Sequence, residues 1–244
     1  MVQKKCTTCG ETGYHPRQKS QSADLVKFVA GSLRAQADPD KAVEMAAYMR
    51  TEMPFYGVQK PQRMPIYKAM KQQFAALDVA GYEANVLALW KQPRREEKYA
   101  ALEYAVSFPQ FITADCLPLY EQLVREGAWW DFVDVIAQHM VGKVLLKQRS
   151  KTKPVIERFA KDKDMWIRRT ALLAHNHHKK NTDEEQLFKH CLMLAHEKEF
   201  FIRKAIGWAL REYSYVAPDR VRRFVRTNGD CLSPLSCREA LKRL

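Results

Sequence analysis

A step of 35 residues recurs along this chain and constrains its fold more than any single motif does. Asp164-Met165-Trp166-Ile167-Arg168-Arg169-Thr170-Ala171-Leu172-Leu173-Ala174 lies in register with Glu199-Phe200-Phe201-Ile202-Arg203-Lys204-Ala205-Ile206-Gly207-Trp208-Ala209. One step back stands Trp129-Trp130-Asp131-Phe132-Val133-Asp134-Val135-Ile136, and another reaches Lys98-Tyr99-Ala100-Ala101-Leu102. Apolar residues recur at i, i+3, i+4 and i+7, the spacing of one face of a helix, and no segment reads as a strand ladder. Breaks fall at Asp38–Asp40, Pro54–Pro61, Gln92–Pro93, Ser107–Thr113, Ser150–Pro154 and Ala217–Pro218. The chain is therefore expected to be all-α, with about twelve helices, one pair of them per step.

Helix pairs repeating at this period predict a right-handed-type solenoid of HEAT-like repeats, whose stacked pairs bury a continuous core and leave a concave, basic groove. The register sorts residues by direction. The column Ala101, Ile136, Ala171, Ile206 is apolar throughout and is expected to face the core. The column Tyr99, Asp134, Arg169, Lys204 stands two residues before it, about 200° around a helix, and is expected to project away from the core. One turn to either side lie Arg95, Trp130, Met165, Phe200 and Glu103, Gln138, Leu173, Trp208. A carboxylate, a guanidinium, an ammonium and two indoles thus share one strip. Gly207, beside Trp208, weakens its helix by roughly 1 kcal/mol against alanine, which suggests a close backbone approach there.

Composition narrows the partner. Lysine and arginine number 41 against 28 acidic residues, a formal charge of +13, which points to a polyanion and first to nucleic acid. No apolar run approaches the ~20 residues of a membrane-spanning helix. The first residues lack the apolar stretch of a secretory signal, so a cytoplasmic protein is expected. Residues 1–21 read as a flexible extension and 22–244 as a single domain. The six cysteines form no disulfide framework, and reduced thiols are expected. Cys6 and Cys9, with His15, make at most half a zinc site, since no second CxxC follows. His175, His177 and His178 sit beside Lys179 and Lys180 and read as a cationic helix end rather than a metal cluster. Cys191 and Cys231 have no activating base nearby in sequence and read as idle thiols. No metal and no cofactor is expected.

The ordered motifs Trp129-Trp130-Asp131-Phe132-Val133-Asp134, Trp166-Ile167-Arg168-Arg169 and Phe200 to Tyr213 resemble those of the AlkD-like DNA alkylation repair glycosylases. The resemblance begins near Met45-Ala46-Ala47-Tyr48-Met49, includes Phe55-Tyr56-Gly57-Val58-Gln59-Lys60-Pro61, and ends at Leu235-Ser236-Cys237-Arg238-Glu239-Ala240. It implies a HEAT-like monomer, with no obligate protein partner, that releases N3- and N7-alkylated purines from double-stranded DNA. It places the catalytic carboxylate on Asp134, flanking aromatics on Trp130 and Trp208, and a DNA-contacting arginine on Arg169. Tyr48, Trp129, Arg168, Arg203, Lys204 and Arg211 are the further DNA contacts expected with it. The Arg220–Arg226 run is either another phosphate-binding stretch or a solvated helix face.

The residue types suit that chemistry on their own terms. An alkylated purine is already cationic and leaves readily, so the sugar is what needs stabilising. A fixed carboxylate stabilises oxocarbenium character at C1′ and orients or deprotonates the attacking water. Indole faces favour a cation, and Arg169 is expected to lower the Asp134 pKa and hold it ionised. The alternatives are a non-catalytic HEAT-repeat binder of DNA structure and a helical scaffold for an acidic protein.

Overall fold

The computed structural model describes residues 16–244, with side chains from residue 21 onward. Cys6, Cys9 and His15, and most of the expected extension, lie outside the described residues. All regular structure among the described residues is helical, in fourteen α-helical segments. No helix among them is long and apolar enough to cross a membrane. The chain forms two compact units, one ending at Phe111 and the other running Ile112–Leu244. The boundary falls in the expected 107–113 break, where no linker composition marks it.

The first unit holds α1 (Pro16–Arg34), α2 (Pro39–Met49), α3 (Lys60–Gln73), α4 (Val79–Trp90) and α5 (Arg95–Ser107). Helix α1 begins six residues before the Ser22 expected from periodicity. It packs on α3, α4 and α5, burying Leu25, Val29 and Leu33 completely. Asp38 caps α2 by accepting from the Lys41 N–H, and Asp78 caps α4 by accepting from Gly81. The Pro54–Pro61 connection is held from below by one buried carboxylate. Glu96 accepts the backbone N–H groups of Tyr56, Gly57 and Val58 at 2.9–3.1 Å. Gly57 has φ +87°, and a Cβ there would meet the Asp38 carbonyl at 2.0 Å, so the turn requires glycine.

The second unit holds α6 (Leu117–Gly127), α7 (Trp130–Ile136), α8 (Gly142–Lys147), α9 (Arg149–Phe159), α10 (Met165–Leu173), α11 (Glu184–Met193), α12 (Phe200–Ser214), α13 (Pro218–Asn228) and α14 (Pro234–Leu241). A single π turn, Ala137–Val141, joins α7 directly to α8. Such turns insert one residue into a helix and shift the faces presented before and after it. The break expected at Ser150–Pro154 is absent. The chain turns instead at Gln148 (φ −128°, ψ 49°), and α9 runs through Pro154. Pro154 stands inside α9 and cannot make the i→i−4 bond to Ser150, yet the helix runs on, with Thr152, Ile156 and Phe159 buried along it.

The core column behaves as its spacing predicts: Ala101, Ile136, Ala171 and Ile206 are at most 1 % exposed. Gly207 is likewise where two helices meet most closely. A Cβ on it would stand 2.4 Å from the Glu239 Cβ and 2.9 Å from the Ser236 carbonyl, so α12 and α14 touch backbone to backbone.

Candidate active site

The outward column departs from expectation at one residue. Asp134 on α7 and Lys204 on α12 keep partial exposure, but Arg169 on α10 is only 1 % exposed. Its helix does point it away from the core; the next helix then covers it. The Arg169 Cζ stands 5.3 Å from the Trp208 ring centroid and 5.7 Å from that of Phe201. The guanidinium donates from Nε to Asp134 Oδ1 at 2.8 Å and from Nη2 to Oδ2 at 2.9 Å, and from Nη1 to the Phe201 carbonyl. This parallel pair of bonds is the strongest geometry between these groups. It leaves Arg169 committed to Asp134 and not displayed for a phosphate.

Asp134 is mostly enclosed. Burial pushes its carboxyl above the ordinary aspartate value, and the hydrogen bonds and charge of Arg169 oppose that rise. The direction expected from the ion pair alone is thus reversed, because desolvation outweighs it. Next to this pair lies a cleft of about 210 Å³ lined by Trp130, Phe200, Phe201, Lys204, Trp208 and Arg169. Three of the four aromatic walls, Trp130, Phe200 and Trp208, stand in the columns flanking the expected strip; Phe201 joins them from the first turn of α12. Phe200 is 57 % exposed, a solvent-facing aromatic at the mouth.

The two indoles differ. Trp208 has three cations near its ring, Arg169, Lys204 and Arg211, at 5.3, 5.4 and 6.0 Å from the centroid. Its negative face is therefore already engaged. Trp130, at the first position of α7, pairs with no cation among the described residues and is the indole left for a positively charged guest.

Glu239 on α14 holds the other side of the cleft together. It accepts from Lys204 Nζ at 2.9 Å, from Arg211 Nη1 at 3.0 Å and from Trp208 Nε1 at 3.2 Å. Lys204 leads the interactions that pull its carboxyl below the usual value. Sequence reasoning did not single it out, yet its signal was present: Glu239 is one further 35-residue step beyond Lys204. Glu239→Ala is expected to lower unfolding free energy by about 1–3 kcal/mol, since it strands two cations and an indole N–H; urea unfolding monitored by circular dichroism measures this.

The remaining contacts divide. Arg168 is locked to Glu197 by two bonds of 2.6 and 2.9 Å, and Arg203 donates to the Glu197 carbonyl at 3.0 Å. Trp129 caps α7 and packs on Trp166 and Phe201 at 5.9 and 5.7 Å, a structural aromatic cluster. In Arg220–Arg226, Val221, Phe224 and Val225 are buried, while Arg220 pairs with Glu184 and Arg222 with Asp219. Tyr48 belongs to the first unit and is 78 % exposed. His175 is buried and His177 pairs with Glu212, and no group of three metal-ligating side chains forms among the described residues. Cys191 is buried, which pushes its thiol pKa up and makes it unreactive.

A family model described as DNA alkylation repair enzyme matches residues 29–244. A solved structure from Enterococcus faecalis, described as a predicted DNA alkylation repair enzyme, superposes with a TM-score of 0.79 at 28 % identity. That match covers 85 % of this chain and 96 % of the other. No curated protein matches the chain. The match of the family model to nearly the whole described chain identifies it as a member of the DNA alkylation repair enzyme family.

Proposed function

We propose that the chain is a monofunctional DNA glycosylase that hydrolyses the N-glycosidic bond of positively charged alkylated purines, N3-methyladenine and N7-methylguanine, in double-stranded DNA. The observation that carries this reading is a carboxylate, Asp134, fixed by a two-bond guanidinium beside an aromatic cleft. In the reaction the C1′–N bond breaks and its electron pair neutralises the departing purine. Asp134 stabilises the positive sugar and orients water, whose oxygen bonds to C1′ as its proton passes to the Asp134 carboxylate. Arg169 acts through Asp134, which it orients and holds ionised. Trp130 supplies a ring face to the cationic nucleotide. Lys204 and Arg211, partly exposed beside the cleft, are placed to meet phosphate oxygens in exchange for Glu239.

A non-catalytic binder of DNA structure is the second reading, and one observation favours it. Arg169 neutralises Asp134, so the carboxylate does not by itself repel a phosphate backbone. Incubating the protein with duplexes carrying N7-methylguanine or N3-methyladenine, and quantifying released base by chromatography, separates the two. Release above the spontaneous rate from either duplex supports the glycosylase; binding of both without release supports the second reading.

A further inference from the structure

The first unit contains a cavity of about 360 Å³, within the size range of small-ligand pockets. Met45, Tyr48, Met49, Phe55 and Tyr99 give it an apolar and aromatic wall, and Arg63 enters from α3. Arg63 is 9 % exposed, and its Cζ stands 4.4 Å from the Tyr99 ring centroid. Its Nε and Nη1 are buried and have no hydrogen-bond partner.

A guanidinium keeps its charge at any working pH, and buried donors without acceptors cost free energy. The nearby carboxylates do not supply the missing acceptor. Glu96 is taken by three backbone N–H groups, and Glu97 by the Tyr56 hydroxyl and the Arg94 N–H. Glu44, on the exposed rim, forms no ion pair with Arg63. The stack on Tyr99 satisfies one face of the guanidinium and leaves its edge unmatched. The natural complement of that edge is an anion with paired oxygens, a carboxylate or a phosphate. Beside it Tyr48, 78 % exposed, presents a ring to which a flat partner can stack.

We propose that Arg63 and Tyr48 form a nucleotide subsite, with phosphate oxygens on the Arg63 guanidinium and the base against Tyr48. In so far as the nucleotide is one unit of a DNA strand, the proposal rests on the DNA-repair reading above; a free mononucleotide carries the same chemistry. Arg63→Gln strands no carboxylate and is expected to fold, with a melting temperature close to that of wild type.

The test uses the full chain as wild type, Arg63→Gln and Tyr48→Ala in two titrations. One follows binding of a short undamaged duplex over a range of salt; the other measures 2′-deoxyadenosine 5′-monophosphate by calorimetry. Arg63→Gln is expected to reduce the slope of log K against log salt by about 0.9, the share of one phosphate contact. Tyr48→Ala is expected to weaken mononucleotide binding by about tenfold and to leave the duplex slope unchanged, in keeping with loss of one stacked base. Loss of mononucleotide binding in Arg63→Gln with no change in the duplex slope assigns the site to a free nucleotide. Equal behaviour of wild type and folded Arg63→Gln in both titrations, or a wild type that binds neither ligand, overturns the site. Should Arg63→Gln not fold, Arg63→Lys replaces it: it keeps the charge, and weaker binding at unchanged slope is the supporting result, unchanged binding the opposing one. Base release is not read here, so a wild type that binds nucleotide through Arg63 but releases no purine leaves the subsite standing and removes only the glycosylase.

Discussion

Asp134→Asn is expected to slow release of alkylated purine by about 10²–10³-fold while duplex affinity stays within a few-fold of wild type. The side chain keeps its shape and loses its charge, so the positive sugar loses its fixed counter-charge and the attacking water its proton acceptor. Binding is spared because the variant leaves the Arg169 guanidinium in place and adds no negative charge that would repel a phosphate. Single-turnover release from saturated duplex, alongside binding at fixed salt, measures both quantities. Release within a few-fold of wild type would remove Asp134 from the chemistry.

Arg169→Met carries the largest expected effect on stability. It leaves the enclosed Asp134 carboxylate without its partner and the Phe201 carbonyl without a donor. Removing one member of a buried pair costs about 3–5 kcal/mol, which for a chain of this size lowers the melting temperature by about 10 °C. Combining it with Asp134→Asn is expected to restore part of the loss, because no charge is then stranded. The same variant moves the pH profile in a defined direction. The working form is the carboxylate, so release falls as pH drops through the Asp134 pKa, which burial already holds above the ordinary 3.8. Arg169 opposes that rise; without it the acid limb shifts to higher pH. A residue that served packing alone would lower stability and leave the limb in place.

Helices, core column and the close approach at Gly207 were legible because each depends on spacing within a repeat. Ala101, Ile136, Ala171 and Ile206 hold the same register position in four helices, and each is buried within its own unit. Arg169 was misread because spacing gives the direction of a side chain and not what the following helix lays over it. Trp208 and Phe201, on α12, convert an outward residue into a buried one. The enclosure of Asp134 itself, also invisible to spacing, reverses its expected pKa direction. Glu239 was legible in principle, one step along a column already recognised. Arg63 was not: Tyr99 stands in the recognised column, but spacing along the chain does not show that Arg63, on another helix, stacks on its ring. Proline at 154 misled because the buried side of α9, at Thr152, Ile156 and Phe159, holds the helix despite the one interior bond that Pro154 cannot make.

Sealing Arg169 beneath α12 ties the integrity of the second unit to the residues assigned to chemistry. A descendant of this chain that abandoned catalysis would still be under pressure to retain both Asp134 and Arg169, because discarding either one alone unsettles its folded state. The pair is therefore a poor diagnostic of activity when other sequences are surveyed. Trp130 makes no ion pair or ring contact among the described residues and lines the cleft, so on the proposed reading it is free to drift once the cleft is idle. Its identity is the better marker by which working members of such a lineage are told from retired ones.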